Sequence, residues 1–219
     1  MTKFPDLAAA GRDLAVALSE YRGARDTVVL AIATAGVPVA AELARVVQLP
    51  LELLIIRRLL VPDGAVDPVC AVSVAGTLVL DERLGPRAPA PVSGMDHSIA
   101  DGLEQLGQRE RAFRGERAPF ALAGKNVVLV DNGIHTGATM LIAIGAFRRL
   151  NVGSIVVAVP VGNALVRSAI EPYVDRIVCL AWSENFGHGG MWYQHLVRPT
   201  PEEIRAFFED RCDKVTAHE

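Results

Sequence analysis

The stretch from Val127 to Met140, Val-Val-Leu-Val-Asp-Asn-Gly-Ile-His-Thr-Gly-Ala-Thr-Met, constrains this chain more than any other. Its continuous apolar opening, rich in β-branched valine, suits a strand buried on both faces of a parallel sheet. Asp131 then falls at the strand's carboxyl end, which is where open α/β sheets bind ligands. The turn that follows delivers free backbone N–H groups at a helix start, a natural place for an anion. Gly133 and Gly137 give the backbone the freedom and close approach that an anion cradle needs, and Thr136 and Thr139 add hydroxyl donors. These residues point to a phosphate-binding turn beside a carboxylate.

Other turn chemistries compete with that reading. A Walker A loop needs four residues between its glycines and a lysine after the second, but three residues separate Gly133 from Gly137, and Ala138 stands in the lysine's place. The Gly-x-Gly-x-x-Gly dinucleotide fingerprint is absent as well. An ordinary strand-turn-helix corner is the plain alternative, and the acid, the paired glycines and the paired threonines weigh against it. A phosphate-ester hydrolase is disfavoured, because neither a metal-ligand cluster nor a nucleophile elbow is found.

Composition narrows the class. Hydrophobic residues make up 51% of the chain and aromatic ones 5%, which suits a helix-covered sheet better than a platform of stacking rings. The formal charge of −3 supplies no general basic footprint for nucleic acid. Cys70, Cys179 and Cys212 are odd in number, widely spaced and without a Cys-x-x-Cys pair, so neither a disulfide framework nor a zinc site is indicated. They are expected to be reduced, with Cys70 and Cys179 as small core residues. The amino terminus lacks a basic segment followed by a signal-type apolar core, and no apolar run nears membrane-spanning length, so a cytoplasmic protein with no membrane partner is expected.

In chain order, the pattern predicts an amphipathic helix from Asp6 to Tyr21 and a strand from Thr27 to Ala33. The turn Thr34-Ala35-Gly36 leads to a helix ending near Val47, and a second strand from Leu51 to Ile56 precedes Arg57 and Arg58. Val69–Val74 and Thr77–Leu80 read as a hairpin joined through Ala75-Gly76. The proline-containing segment 81–94 is expected to be mobile, and a helix from His97 to about Phe113 follows it. Arg109, Arg111, Arg114 and Arg117 at its far end are either a solvated helix terminus or cations that close over a polyanion.

After the motif strand Lys125–Val130, a helix from Gly137 to Leu150 and a strand from Ser154 to Val159, ending at Pro160, are expected. A helix from Ala164 to Ile170, a strand from Arg176 to Ala181, a Gly-rich loop from Ser183 to Gly190 and a helix from Pro201 to Arg211 complete the chain. No composition shift or long linker divides it, so 1–219 reads as one domain, with 81–118 as a loop and helix insertion and 183–219 as a C-terminal cap region. The expected fold is α/β: a parallel twisted sheet flanked by helices, with a small hairpin/loop appendage and the C-terminal cap.

An apolar strand, an acidic position and a Gly/Ile-containing turn ending in Thr-Gly-x-Thr resemble the phosphoribosyl-pyrophosphate (PRPP) motif of type I phosphoribosyltransferases. Further matches extend the resemblance over most of the chain, toward a bacterial branch described as predicted phosphoribosyltransferases. They are Gly36-Val37-Pro38-Val39-Ala40, Arg57, Gly124-Lys125, Ala158-Val159-Pro160 and Gly190-Met191-Trp192-Tyr193.

The resemblance implies transfer of phosphoribosyl from Mg²⁺-bound PRPP to a small nitrogenous acceptor, with release of pyrophosphate. A non-catalytic sensor of PRPP or a nucleotide monophosphate is the alternative, and a homodimer is compatible with either. Ile134, His135, Thr136, Gly137, Ala138 and Thr139 match the 5-phosphate turn. Asp131 and Asn132 match two adjacent acids that hold the ribose, so the second acid is here an amide, which keeps an acceptor oxygen but loses the charge. Thr34, Ala35 and Gly36, with Arg57 and Arg58, match the pyrophosphate site, although the branch usually carries Arg-Gly-Gly in that first loop. Asp131 and His135 are the candidate catalytic residues. A histidine at that place in the turn can act as a general base or donate to a phosphate, or be a plain loop residue. Phe186 and Trp192, with His188 and Tyr193 nearby, either cover the acceptor or pack as core.

Overall fold

In the structure, a computed structural model that describes residues 4–59, 69–75, 77–81, 95–115, 117–118 and 120–209, the apolar runs become the middle of a sheet. Strand β1 (Thr27–Ile32) is buried at every position, as a strand covered on both faces must be. It pairs in parallel with β2 (Leu51–Leu59) on one side and with β5 (Asn126–Val130) on the other. Strand β6 (Ser154–Asn163) lies beyond β5, and β7 (Arg176–Ser183) lies beyond β6, both in parallel. On the opposite flank, β3 (Val69–Val74) pairs antiparallel with β2, and β4 (Thr77–Asp81) with β3. The order among the described residues is β4-β3-β2-β1-β5-β6-β7.

Two strands run longer than their sequence patterns. β2 runs on through Leu59, so Arg57 and Arg58 lie inside it, opposite Ala71 and Cys70 of β3. A ladder partner, not an apolar side chain, is what a strand's backbone requires. The hairpin therefore extends the sheet as its antiparallel flank. β6 likewise does not stop at Pro160 but continues to Asn163. Its last pair with β5 is Ala158 with Val130, while Val159 and Val161 pair with β7. Proline, which has no N–H to give, is tolerated where one neighbouring strand has ended.

Helices cover both faces. α1 (Leu7–Ala17) starts from Asp6, whose Oδ1 accepts the Ala9 N–H at 2.7 Å, a side-chain cap for an otherwise orphaned donor. It ends sooner than expected, and a separate 3-10 turn spans Ser19–Tyr21. α2 (Gly36–Val47) packs against α1; a Cβ on Gly11 would lie 2.4 Å from the Val39 carbonyl oxygen, so glycine permits that approach. α3 (Met95–Arg114) and α6 (Pro201–Glu209) share this face, with Leu14, Leu43, Leu106, Phe113 and Phe208 in its core. α4 (Ala138–Arg149) and the short α5 (Arg167–Ile170) cover the other face with Met140, Ile144, Phe147 and Ile170.

The arginines at the end of α3 divide. Arg114 bonds Glu110 at 2.7 Å, and Arg117 lies 3.5 Å from Glu52 with its guanidinium 4.9 Å from the Phe208 ring centre. Both are largely enclosed, so they are neither a solvated terminus nor free cations, and desolvation raises the carboxyl pKa of Glu52 between them. Cys179 is a half-buried free thiol, pushed up to about 12 by burial. The segment 82–94 and Cys212, and with them the expectations placed there, lie outside the described residues, as does the end of the last helix after Glu209.

Candidate functional site

The strand order creates the site before any side chain enters. From β1 the chain passes through α2 to β2 on one side, and from β5 through α4 to β6 on the other. The two crossovers diverge, and α2 and α4 pack on opposite faces of the sheet. The carboxyl ends of β1 and β5 are therefore the switch point at which doubly wound sheets take their ligands. Asp131 ends β5 there, and Thr34 to Gly36 follow β1.

Those two loops touch. A Cβ on Gly36 would lie 3.0 Å from the Val130 carbonyl oxygen and 3.1 Å from Asp131 Oδ1. Asp131 Oδ1 accepts the N–H of the next residue, Asn132, at 2.7 Å, a local side-chain-to-backbone bond that orients the carboxylate and leaves Oδ2 for another partner. Desolvation pushes the Asp131 pKa up to about 7, with the Asn132 N–H bond opposing it.

The turn beyond Asp131 is strapped to the sheet. Ile134 is buried, its N–H donates to the Val161 carbonyl at 2.9 Å, and its own carbonyl accepts from Asn163 at 2.8 Å. This bridge uses the part of β6 that outruns β5. It also occupies the Ile134 N–H, so Ile134 anchors the turn and is not a spare donor. His135 and Thr136 are exposed beyond it. Gly137 takes φ 77°, a left-handed conformation suited to glycine, and starts α4. The N–H groups of that first turn have no partner within the helix.

Aromatic residues from the C-terminal region close one side. The Phe186 ring lies 5.6 Å from His135 at 17° and 6.1 Å from Trp192 at 30°. Trp192 Nε1 donates to the Phe186 carbonyl at 3.1 Å. Phe186 and Trp192 are both buried, so Trp192 is a packing residue behind Phe186, and His135 is the exposed outer ring of the stack. His188 is exposed.

Arg57 lies on β2, three positions past Leu54, which pairs with Ile32 at the end of β1. Its guanidinium bonds Gln105 Oε1 of α3 at 2.6 Å. Nothing local in the sequence marks Gln105 as its partner. The structure also brings in Tyr193, whose hydroxyl donates to the Asn132 carbonyl at 2.6 Å. The described residues contain no group of three His, Cys, Asp or Glu that could hold a metal ion, and no helix long and apolar enough to cross a membrane.

A phosphoribosyl transferase domain model matches residues 2–194. Over 209 residues the chain is 34% identical to "Putative phosphoribosyl transferase Rv0571c" of Mycobacterium tuberculosis (strain ATCC 25618 / H37Rv), a match covering 95% of this chain and 47% of that protein. The chain thus spans about half the length of this curated relative. The crystal structure of TT1426 from Thermus thermophilus is similar with a TM-score of 0.80 and 28% identity, covering 95% of this chain and 99% of that one. The sheet, the motif and these matches together show that the chain belongs to the phosphoribosyl transferase family.

Proposed function

We propose that this protein binds PRPP at the carboxyl ends of β1 and β5 and transfers its phosphoribosyl group to a small nitrogenous acceptor. The observation that carries the reading is the contact of Gly36 with Asp131, which sets the candidate pyrophosphate loop against the candidate ribose carboxylate. Asp131 Oδ2 accepts from the ribose hydroxyls, and the Asn132 amide adds a neutral acceptor. Thr136, Gly137, Ala138 and Thr139 surround the 5-phosphate with hydroxyl and N–H donors at the start of α4. Thr34, Ala35 and Gly36 cradle the pyrophosphate, with Arg57 as its cation; the side chain of Arg58, the other candidate, lies outside the described residues.

In the transfer, the C1–oxygen bond to pyrophosphate breaks and a nitrogen–C1 bond forms. His135 takes the proton that the acceptor nitrogen gives up, and Phe186, backed by Trp192, holds that imidazole in place as the wall of the acceptor site. The residues suit Mg²⁺ only as an ion carried in by the ligand: no cluster of three ligating side chains occurs among the described residues. Mg²⁺ is commonly held by one or two carboxylates and substrate phosphates, so Asp131 and the phosphate oxygens would hold it and it would offset charge on the leaving group. A cytoplasmic setting and a homodimeric assembly belong to the same reading.

The substitution of an amide for the second acid, at Asn132, favours a second reading, in which the pocket reads PRPP or a nucleotide monophosphate without turnover. Calorimetric titration with PRPP and Mg²⁺, followed by a pyrophosphate-release assay over a panel of bases, separates the two. Binding with release is expected. Binding without release on any base moves the protein to the sensor reading, and no binding removes both.

A further inference from the structure

We infer that Tyr193 is a positioning residue for the ribose carboxylate, tying the two ends of the chain to Asp131 through the Asn132 peptide groups. This rests on the ribose-binding reading of Asp131. The Tyr193 hydroxyl donates to the Asn132 carbonyl at 2.6 Å, and the Asn132 N–H donates to Asp131 Oδ1 at 2.7 Å. One residue is thus gripped on both sides: Tyr193 sets the peptide that follows Asn132, and the N–H that precedes it sets the Asp131 rotamer.

Tyr193 is itself held from far away. Its ring lies 5.9 Å from that of Phe4. The Phe4 N–H donates to the Trp192 carbonyl, and the Phe4 carbonyl accepts from Gln194, both at 2.8 Å. Tyr193 is buried, so its hydroxyl gives up water for this bond, and the Asn132 carbonyl would be left short of a donor without it. Burial raises the phenol pKa first and the nearby Asp131 raises it further, which places the phenol in the field of that carboxylate and keeps its proton available to donate.

A group that only stabilises the fold weakens every ligand alike, whereas a group that aims Asp131 affects ligands according to the ribose hydroxyl they carry. The test is calorimetric titration of the full chain with ribose 5-phosphate and 2-deoxyribose 5-phosphate, using wild type and Tyr193→Phe, with melting curves alongside. Wild type is expected to prefer ribose 5-phosphate. Tyr193→Phe keeps the ring and is expected to lose about fivefold to tenfold of that preference, the equivalent of one buried hydrogen bond, with affinity for the deoxy sugar little changed. Phe4→Leu keeps the hydroxyl but loosens its ring support, and is expected to show an intermediate loss; it also serves if Tyr193→Phe does not fold. Undiminished preference in the variants, or equal weakening toward both sugars, overturns the inference alone. Failure of wild type to bind either sugar removes the ribose reading and the inference with it.

Discussion

His135 and Phe186 stack at 5.6 Å, yet the regions they belong to are built in different ways. The turn from Asp131 to Thr139 is contiguous, and its shape follows from an acid, two glycines and a strand that outruns its neighbour. The aromatic wall is assembled from Phe186, Trp192 and Tyr193 after the last strand and from Phe4 near the other end of the chain. The groups that would read a ligand are thus encoded locally, while the groups that hold them in register are encoded at long range. Damage to the first should cost binding more than stability, and loss of the packing ring Trp192 should cost stability before binding.

The sharpest way to probe the first half is Gly36→Val. A branched side chain has no room beside Asp131 Oδ1 and the Val130 carbonyl. Making room for it displaces Asp131 or the loop, so PRPP affinity is expected to fall on the order of 100-fold, alongside the roughly 1–3 kcal/mol of stability that overpacking costs. A cooperative loss of the whole fold would show that the loop is structural first.

His135→Ala comes next. General acid–base catalysis contributes about 10²–10⁴-fold, so turnover on an identified acceptor should fall by at least the lower figure while PRPP binding persists. Unchanged turnover would return His135 to the role of a plain loop residue. Trp192→Leu probes the wall: it removes the bond to the Phe186 carbonyl and half of a stacked pair. A loss of about 3 kcal/mol is expected from such large-to-small changes, read as a melting temperature lower by roughly 6–12 °C, with PRPP affinity held within a small factor. A parallel collapse of PRPP binding would erase the distinction between turn and wall.

The remaining expected effect is a gain. Asp131 has its pKa raised to about 7 by desolvation, so in the unliganded fold its neutral form is favoured. Its contribution to stability is full below the unfolded value of about 3.9 and is lost as pH rises through about 7. Asp131→Asn removes this penalty, so it should melt higher than wild type at pH 8, and by more than at pH 5. A lower melting temperature at pH 8 would contradict the assignment of this penalty to the Asp131 carboxylate.

Legibility in the sequence follows the same division. The runs Thr27–Ile32 and Val127–Val130 announced buried strands, and the motif announced which strand ends meet. Arg57 and Arg58 lack the apolar character that marks a buried strand, yet β2 runs through them because Ala71 and Cys70 supply their ladder partners. Pro160 marks the end of a central strand by its sequence, yet β6 runs through it because β5 has already finished at that level. Arg114 and Arg117 look like surface charge until Glu110, Glu52 and Phe208 enclose them. The Tyr193 hydroxyl bond crosses from the cap to the motif, and no local pattern encodes such a contact.

The most direct measurement is titration calorimetry of PRPP with Mg²⁺ into wild type and Asp131→Asn at pH 6 and pH 8. Because a carboxyl group with a pKa of about 7 is roughly one-tenth ionised at pH 6 and nine-tenths at pH 8, wild type should bind about tenfold more tightly at pH 8. The ligand's own phosphate titration will appear in both proteins and is subtracted by the comparison. Asp131→Asn should bind more weakly than wild type at pH 8 and lack this added pH dependence. Equal affinities for the two proteins at pH 8, or no heat from wild type at either pH, would contradict the placement of ribose at Asp131.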